Sequence, residues 1–194
     1  MAVRKVIQIG NPKLKAENKK ITDFKDPLLK KLITDLKDTL RKNGLIGIAG
    51  PQIAKNVKIF VTEIRETPSR KVEKADPLRI YINPTVTFFS KRQNLIYEGC
   101  GSVVNGKLFG PVKRPEELII EAFDEHQKKF QLQCDGILAR VIQHEYDHLS
   151  GIEFLEKVTD NKKFISGYFY RKFIRNSKEQ KEASKITLLK FRTV

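Results

Sequence analysis

Apolar residues recur at helical spacing in one long stretch near the start of the chain. They lie three or four positions apart, as one face of an α-helix requires. Asp26 followed by Pro27 is typical of a helix start, with the aspartate as N-cap and proline at the first helical position. Asn43-Gly44 is typical of a helix end. The pattern predicts a helix packed on the core, with apolar positions at Leu28, Leu29, Leu32, Ile33, Leu36 and Leu40.

Shorter runs rich in apolar and β-branched residues, bounded by glycine, proline or charged residues, predict β-strands. They are residues 4–9, 57–62, 79–83, 86–90, 117–123 and 130–134. Pro84 lies between the third and fourth runs and favours a bend that separates two paired strands. The last two runs predict a hairpin that turns at residues 124–128, with His126 on the surface at its tip. Residues 64–78 are polar and charged, which favours a surface loop.

The C-terminal part of the chain predicts a less regular structure. Thr159-Asp160 can begin a helix, because aspartate is a good N-cap. Its predicted apolar side consists of Phe164, Ile165, Tyr168, Phe169 and Phe173. Residues 177–185 are highly charged, so we expect them to be exposed. Residues 186–194 fit a strand, a helix end or a tail.

Another apolar stripe at helical spacing predicts a helix that Asp135 can cap and Gly151 can end. The stripe consists of Ile137, Leu138, Val141, Ile142 and Leu149. Short strands and a few helices segregated along the chain favour the α+β class. We predict a single domain over residues 1–194, with antiparallel or mixed sheets packed around this central helix. Residues 157–194 would add a C-terminal helix and tail.

The central helix carries the strongest candidate chemistry. Residues four apart share a face of a helix, so His144 and His148 can bind one metal ion. Glu145 lies about 100° round the helix from His144, within reach of a water molecule on that metal. The alternative is a helix with two surface histidines and a glutamate in a salt bridge.

Two stretches outside this helix carry further candidates. Small residues crowd the segment before Gln52, whose amide can donate a hydrogen bond to a substrate oxygen. The alternative is a tight turn with an exposed glutamine. Cys100 is flanked by glycines, and it is a candidate ligand only if it meets the two histidines in space. Cys134 ends a predicted strand and is expected to be structural.

Composition and charge narrow the class of protein. With 194 residues, 40% hydrophobic and 31% charged, the chain is typical of a folded protein rather than a disordered one. It has no run of about 20 apolar residues and no signal-peptide core, so we expect no membrane span. Two cysteines do not make a disulfide framework, which favours a reducing compartment.

The balance of 38 basic and 23 acidic residues gives a net charge of +15. This charge favours attraction to polyanions, with the ribosome surface or RNA as candidate partners. The alternative is a lysine-rich, solvated surface, because no nucleic-acid-binding motif accompanies the charge. No DNA binding is expected.

Three stretches follow one another in a characteristic order. They are the glycine-rich segment ending in glutamine at residues 47–52, Glu-Gly-Cys-Gly-Ser at 98–102, and Gln-His-Glu-Tyr-Asp-His at 143–148. In this order they resemble the motifs of the peptide deformylase family. Weaker similarities lie at residues 82–84, 114–115 and 136–140. The resemblance runs from about Val6 to Glu156.

The resemblance implies a metal ion held by Cys100, His144 and His148, with water in the fourth position. Ferrous iron is the usual metal of the family, and zinc, nickel or cobalt also suit one thiolate and two imidazoles. The implied reaction removes the N-formyl group from the N-terminal formylmethionine of newly made polypeptides. The metal-bound water is the nucleophile, and Glu145 is the general base and then the acid. The expected location is a bacterial-type cytoplasm, with an organelle as the other option.

The resemblance also implies how substrate is held. Gln52 and the backbone N–H of Gly101 would stabilise the oxyanion. Main-chain groups of Ile46 and Gly47 would pair with the extended peptide, like an added strand. The methionine pocket would be lined by Ile46, Ile137, Arg140 and Val141, with His144 at its base.

The chain departs from the family pattern at several positions. Leu45 stands where the family has its first glycine, and Gly50 replaces an alanine. Gly101 replaces the leucine of the cysteine motif, and the loss of that leucine would open the pocket wall. Val104-Asn105 stands where Pro-Gly is common. We therefore predict an active enzyme with an altered rate or side-chain preference.

Three other functions compete with this interpretation. A metallopeptidase fits the two-histidine helix, although its third ligand usually lies downstream. A deformylase-like paralogue with altered catalysis would keep the metal and bind ribosome or RNA through its basic surface. A structural zinc site would need a fourth ligand, for which Cys134 would have to leave its strand.

Overall fold

The structure, a computed structural model, describes residues 3–67 and 71–194. It has the predicted α+β architecture, with antiparallel sheets and helices packed on them. The pairings between named strands are antiparallel rather than mixed. Residues 68–70 of the predicted surface loop lie outside the described residues. Among the helices of the described residues, none combines the length and apolarity that crossing a bilayer needs.

Nine strands and four helices frame the molecule in its described part. The strands are β1 (Gly47–Ala49), β2 (Ile59–Ile64), β3 (Asp76–Phe89), β4 (Gln93–Gly99), β5 (Leu108–Pro115), β6 (Glu117–Phe123), β7 (Lys129–Asp135), β8 (Ile165–Ser166) and β9 (Leu189–Thr193). The helices are α1 (Pro27–Lys42), α2 (Gly136–Leu149), α3 (Gly167–Phe169, continued by a π-helical stretch Tyr170–Ile174) and α4 (Lys178–Ser184). A six-stranded sheet has the order β1-β2-β3-β6-β7-β9, and a three-stranded sheet has the order β4-β5-β8.

Helix α1 follows its sequence signals closely. Its N-cap Asp26 accepts a hydrogen bond from the backbone N–H of Leu28. Asn43 is the C-cap, and Gly44 follows it with φ +63°. The helix packs its apolar face, including Leu36, against the first strands of the large sheet. The prediction of this helix is confirmed.

The prediction of two paired strands around Pro84 is wrong. Both segments belong to the single strand β3, which is continuous across the proline. Asn83 takes φ +50° and its side chain bonds both the N–H and the C=O of Ile21. The ladder with β6 shifts register at this point. A bulge therefore accommodates the proline. Proline has no N–H to donate, so its presence at the bulge costs the sheet no hydrogen bond.

Two other strand predictions differ from the structure. Residues 4–9 do not form a strand, because their N–H groups are divided between two segments: Ile7 donates to Gln52 and Ile9 donates to Ser102. Strand β5 was not predicted at all, since Gly110 and Pro111 lie within it and suppress the strand pattern. The hairpin of β6 and β7, with exposed His126 near its tip, is confirmed.

The C-terminal region differs from the predicted helix. Asp160 caps only a single 3-10 turn, and the helical segment begins after Ser166, whose hydroxyl accepts from Phe169. Tyr168 and Phe173, placed on the apolar side by the sequence, are exposed. The charged residues 177–185 contain α4, and β9 completes the large sheet beside β7.

Helix α2 lies at the centre of the main core. It contacts β1, β2, β6, β7 and α4, and buried apolar side chains surround it. Asp135 occupies the N-cap position, but its carboxylate does not cap the helix. It accepts instead from the N–H groups of Thr187 and Leu188. These two bonds hold the segment that leads into β9 against the start of α2. The predicted cap is therefore wrong, whereas the predicted helix and its end before Gly151 are confirmed.

Candidate metal centre and substrate cleft

The structure brings Cys100, His144 and His148 together. Cys100 follows directly after β4, and the two histidines lie one turn apart on α2. One donor atom from each residue lies within 4.8 Å of the others, and the Cys100 Sγ is 3.3 Å from the His148 Nε2. His148 is 1% exposed, so the alternative of two surface histidines is wrong.

The electrostatics of this cluster suit a cation. Burial, together with the neighbouring charge of His144, holds the pKa of His148 well below its usual value, so its ring is neutral. Burial acts the same way on His144, but hydrogen bonds with Cys100 and Glu98 outweigh it and raise its pKa. Groups that attract a proton to this place also attract a metal ion, which competes with protons for the same lone pairs. One thiolate and two imidazoles are the donor set of a transition-metal site.

A buried ionic network holds His144 in place. The Glu98 Oε2 lies 3.1 Å from the His144 Nδ1, which directs the other ring nitrogen towards the cluster. The same carboxylate accepts from Arg114 at 2.7 and 3.0 Å and from Arg140 at 2.8 Å. Arg114 also donates to Asp147 at 2.6 Å, one residue before the second histidine.

Charge pairing decides the ionisation of Glu98. Burial alone would raise the pKa of its carboxyl group, but the nearby Arg114, the His144 hydrogen bond and Arg140 hold that pKa well below its usual value. The sequence predicted no role for Glu98 or Arg114. The signal that was available is the acidic first residue of the cysteine motif, in a strand whose partner strand carries an arginine.

Glu145 lies beside the cluster and is 3% exposed. Its Oε2 is buried without a hydrogen-bond partner among the described residues. Burial raises the pKa of this carboxyl group to about 7. The opposite wall is Gly47, where an added Cβ would lie 2.5 Å from the Glu145 Oε1, so only glycine leaves room for the carboxylate there.

Gln52 is 2% exposed, which makes the alternative of an exposed glutamine wrong. Its Oε1 accepts from the N–H of Ala49 at 2.8 Å. This bond fixes the amide, because its Nε2 must then point the other way, towards the Cys100 Sγ and the Ser102 hydroxyl at 3.4 Å each. Gly101 follows the cysteine, and its C=O accepts from the Gln8 side chain.

Two departures from the family pattern lie against each other in space. An added Cβ at Gly101 would lie 3.4 and 3.5 Å from the two Cδ atoms of Leu45. A side chain at position 101 would therefore pack directly against Leu45 on the facing segment. The expectation that the missing leucine opens the pocket wall stays a prediction.

This packing predicts a coupled pair of substitutions. We expect Gly101→Leu to lower the free energy of unfolding by about 1–3 kcal/mol, since the new side chain collides with Leu45. The double variant Leu45→Gly/Gly101→Leu should recover most of that loss, and urea unfolding measures both. Gly101→Ala serves as the control and should be close to wild type. Equal losses in the single and double variants would contradict the pairing.

A cavity of about 880 Å³ opens beside the cluster. The residues predicted to bind substrate all line it, and they are Ile46, Gly47, Ile137, Arg140 and Val141, together with Gln52, Gly101 and Glu145. The guanidinium of Arg140, however, is committed to Glu98, Asn94 and Val112. The cavity lies between the edge strand of each sheet, β1 on one side and β4 on the other.

An α+β fold with a three-donor metal cluster beside a buried carboxylate is the arrangement of a metal-dependent hydrolase. The family model for polypeptide deformylase matches residues 3–164. A peptide deformylase of Treponema pallidum (strain Nichols) is 33% identical over 155 residues, covering 80% of this chain and 88% of that protein. The chloroplastic peptide deformylase 1B of Solanum lycopersicum is 35% identical over 80% of this chain and 53% of its own length.

Solved structures give the same result. The Met-Ala-Ser-bound class I type b peptide deformylase of Acinetobacter baumannii has a TM-score of 0.76 and 26% identity, covering 81% of this chain and 99% of that chain. The Synechococcus elongatus peptide deformylase in complex with actinonin has a TM-score of 0.71 and 28% identity, covering 81% and 80%.

The chain belongs to the peptide deformylase family. It is a metal-binding hydrolase of protein biosynthesis that removes the formyl group from formylated nascent peptides. The comparisons favour this function over a metallopeptidase, and they give no support to a non-catalytic binding module.

Proposed function

We propose that Cys100, His144 and His148 hold one divalent metal ion and that the deformylation takes place beside it. The observation that carries the proposal is the convergence of these three donors next to the unpartnered oxygen of Glu145. Three protein donors leave a coordination position open, as catalytic sites require. When bound, the metal ion lowers the pKa of a water molecule and polarises the formyl oxygen.

Glu145 moves the proton. Its free Oε2 accepts a proton from the attacking water and later delivers it to the nitrogen of the leaving amine. A base that must both accept and return a proton works best with a pKa near the operating pH, and burial raises the pKa of Glu145 to about 7. The C–N bond of the formamide breaks, and the products are formate and a free amino terminus.

Gln52 and Gly101 would stabilise the negative charge that develops on the formyl oxygen. The Nε2 of Gln52 is held in one orientation by the Ala49 bond, so it needs no reorganisation during the reaction. The backbone N–H of Gly101 is the second donor, on the residue after Cys100.

The peptide would enter as an added strand between β1 and β4. The C=O of Ile46 already accepts from the N–H of Glu63, so that carbonyl is used within the sheet. Main-chain groups alternate in direction along a strand, which turns those of Gly47 towards the cleft. Ile46, Ile137 and Val141 would then enclose the methionine side chain, with His144 at the base of the pocket. Arg140 would contribute to this pocket by holding Glu98, the partner of His144, in place.

The native metal is proposed to be Fe²⁺, with Zn²⁺, Ni²⁺ or Co²⁺ able to replace it, since the donor set suits all four. The test is formate release from formyl-Met-Ala-Ser by protein purified without oxygen and loaded with ferrous iron, beside a zinc-loaded sample. We expect turnover, and no cleavage of acetyl-Met-Ala-Ser. Metal-bound protein that releases no formate in either sample would refute the proposal.

We further propose that the surplus positive charge draws the enzyme to the ribosome, where its substrates emerge. The 38 basic residues outnumber the 23 acidic ones, and attraction to RNA phosphates needs no dedicated motif. Translation that begins with formylmethionine would place it in a bacterial-type cytoplasm or in an organelle. Cosedimentation with ribosomes should fall steeply between about 50 and 200 mM salt. Absence of cosedimentation at the lower salt would contradict this association.

A further inference from the structure

The family match ends at residue 164, yet the following segment forms part of the substrate cleft. Gln180 on α4 is 6% exposed and reaches the free edge of β4. Its Oε1 accepts from the N–H of Tyr97 at 3.1 Å, and its Nε2 donates to the C=O of the same residue at 3.2 Å. One carboxamide thus makes the two main-chain bonds that a neighbouring strand would make.

Aromatic packing fixes Gln180 in this place. Phe109 lies over Gly99, where an added Cβ would meet its ring at 2.7 Å. Tyr170 stacks on Phe109 with ring centroids 4.0 Å apart and an interplanar angle of 10°. The Gln180 Nε2 also donates to the hydroxyl of Tyr170 at 3.3 Å. The wall formed by Phe109, Tyr170 and Gln180 is therefore continuous with β4.

The position of Tyr97 gives this wall a consequence for substrates, on the basis of the function proposed above. Residues 97 and 99 direct their main-chain groups to the same edge of β4, because the direction alternates along a strand. A peptide whose formyl end lies at Cys100 runs antiparallel to β4. Its formyl oxygen is placed at the N–H of Gly101, so counting back along β4 brings its second residue to Gly99. Its fourth residue then comes to Tyr97, where both main-chain groups are already used.

We propose that Gln180 is a specificity-determining residue that ends the pairing of the substrate strand with β4 before its fourth residue. The enzyme then reads the backbone of the first three residues only and takes formylated peptides regardless of how the fourth is oriented. The fourth residue leaves the groove past α4. Lys181 and Lys185, which line the same cavity, make no ion pair within the described residues 3–67 and 71–194.

The test compares two product peptides, Met-Ala-Ser-Ala and the same peptide with an N-methyl group on the amide of its fourth residue. Their dissociation constants are measured by calorimetry on the metal-loaded full chain, and kcat/KM is measured for the formylated forms. Methylation removes the N–H that would pair with Tyr97 and nothing that pairs with Gly99. We expect the wild-type protein to bind the two peptides within about twofold of each other, because no bond to the fourth residue is lost.

Gln180→Ala should bind the unmethylated peptide about fivefold more tightly than the methylated one, as one new hydrogen bond would give. Glu179→Ala, an exposed neighbour on the same helix, is the matched control and should keep the wild-type ratio. Thermal unfolding of Gln180→Ala checks that the chain is folded. A wild-type protein that already loses fivefold on methylation overturns the proposal, and so does an unchanged ratio in folded Gln180→Ala. Failure of the proposed reaction appears separately, as bound peptides whose formylated forms release no formate.

Discussion

Replacing Glu145 with alanine is expected to lower kcat/KM for formyl-Met-Ala-Ser about a thousandfold. The reason is that Glu145 holds the only unpartnered buried carboxylate oxygen that the described residues place beside the three donors. Without it, no side chain there can take the proton of the attacking water. Formate release and metal content, measured on the same sample, check the prediction.

Metal content separates this role from a structural one. Glu145 is not among the three donors, so the variant should still bind one metal ion per chain. Glu145→Gln keeps the shape of the side chain and removes only its basicity, and it should be equally slow. Turnover retained in either variant with metal bound would show that another group acts as the base.

Replacing Glu98 with alanine is expected to lower the free energy of unfolding by about 3–5 kcal/mol. The substitution leaves Arg140 buried without the carboxylate that now balances its charge, and it leaves Arg114 with only Asp147 as its partner. Metal affinity should also fall by about 10–100-fold, because His144 loses the partner that orients its ring. Urea unfolding measures the first effect and a metal titration measures the second.

The pH dependence gives an independent check on the Glu98 effect. The pKa of Glu98 in the folded chain lies well below its unfolded value. Its stabilising contribution is therefore present above the unfolded pKa and is lost as the pH falls through the folded pKa. The difference between wild type and Glu98→Ala should be full at neutral pH and shrink in acid.

Glu116 provides the matched control for Glu98. It forms an ion pair with Arg92 at 3.5 Å, but that arginine side chain is 86% exposed. Exposed pairs contribute little, so Glu116→Ala should change the free energy of unfolding by no more than about 0.5 kcal/mol. Similar losses in the two variants would mean that burial does not distinguish these carboxylates.

The pair Leu45 and Gly101 changes how the family departures are interpreted. Taken singly along the sequence, each departs from a motif and suggests altered catalysis. In space the two positions face each other across one van der Waals contact, so we interpret them as a pair rather than as two separate departures. The coupled substitutions at positions 45 and 101 test that interpretation.

The local sequence determined the elements whose signals lie within a few residues. Helix α1 begins at the Asp26-Pro27 signal and ends at the Asn43-Gly44 signal, because caps act over one turn. The two histidines of α2 share a face because the helical repeat alone requires it. The three candidate metal donors followed from the resemblance of three ordered motifs to one family, before any contact was known.

Only the tertiary structure decided the contacts between distant segments. Asp135 has the sequence of a helix cap, but the backbone of Thr187 takes its carboxylate, a contact between residues 52 positions apart. Glu98 acquires its role from Arg114, Arg140 and His144, which come from β5 and α2. Gln180 reaches Tyr97 from a segment that the family pattern does not cover. Local propensity acts within a turn of the chain, whereas burial and hydrogen-bond satisfaction depend on which surfaces meet after folding, and no local pattern records that choice.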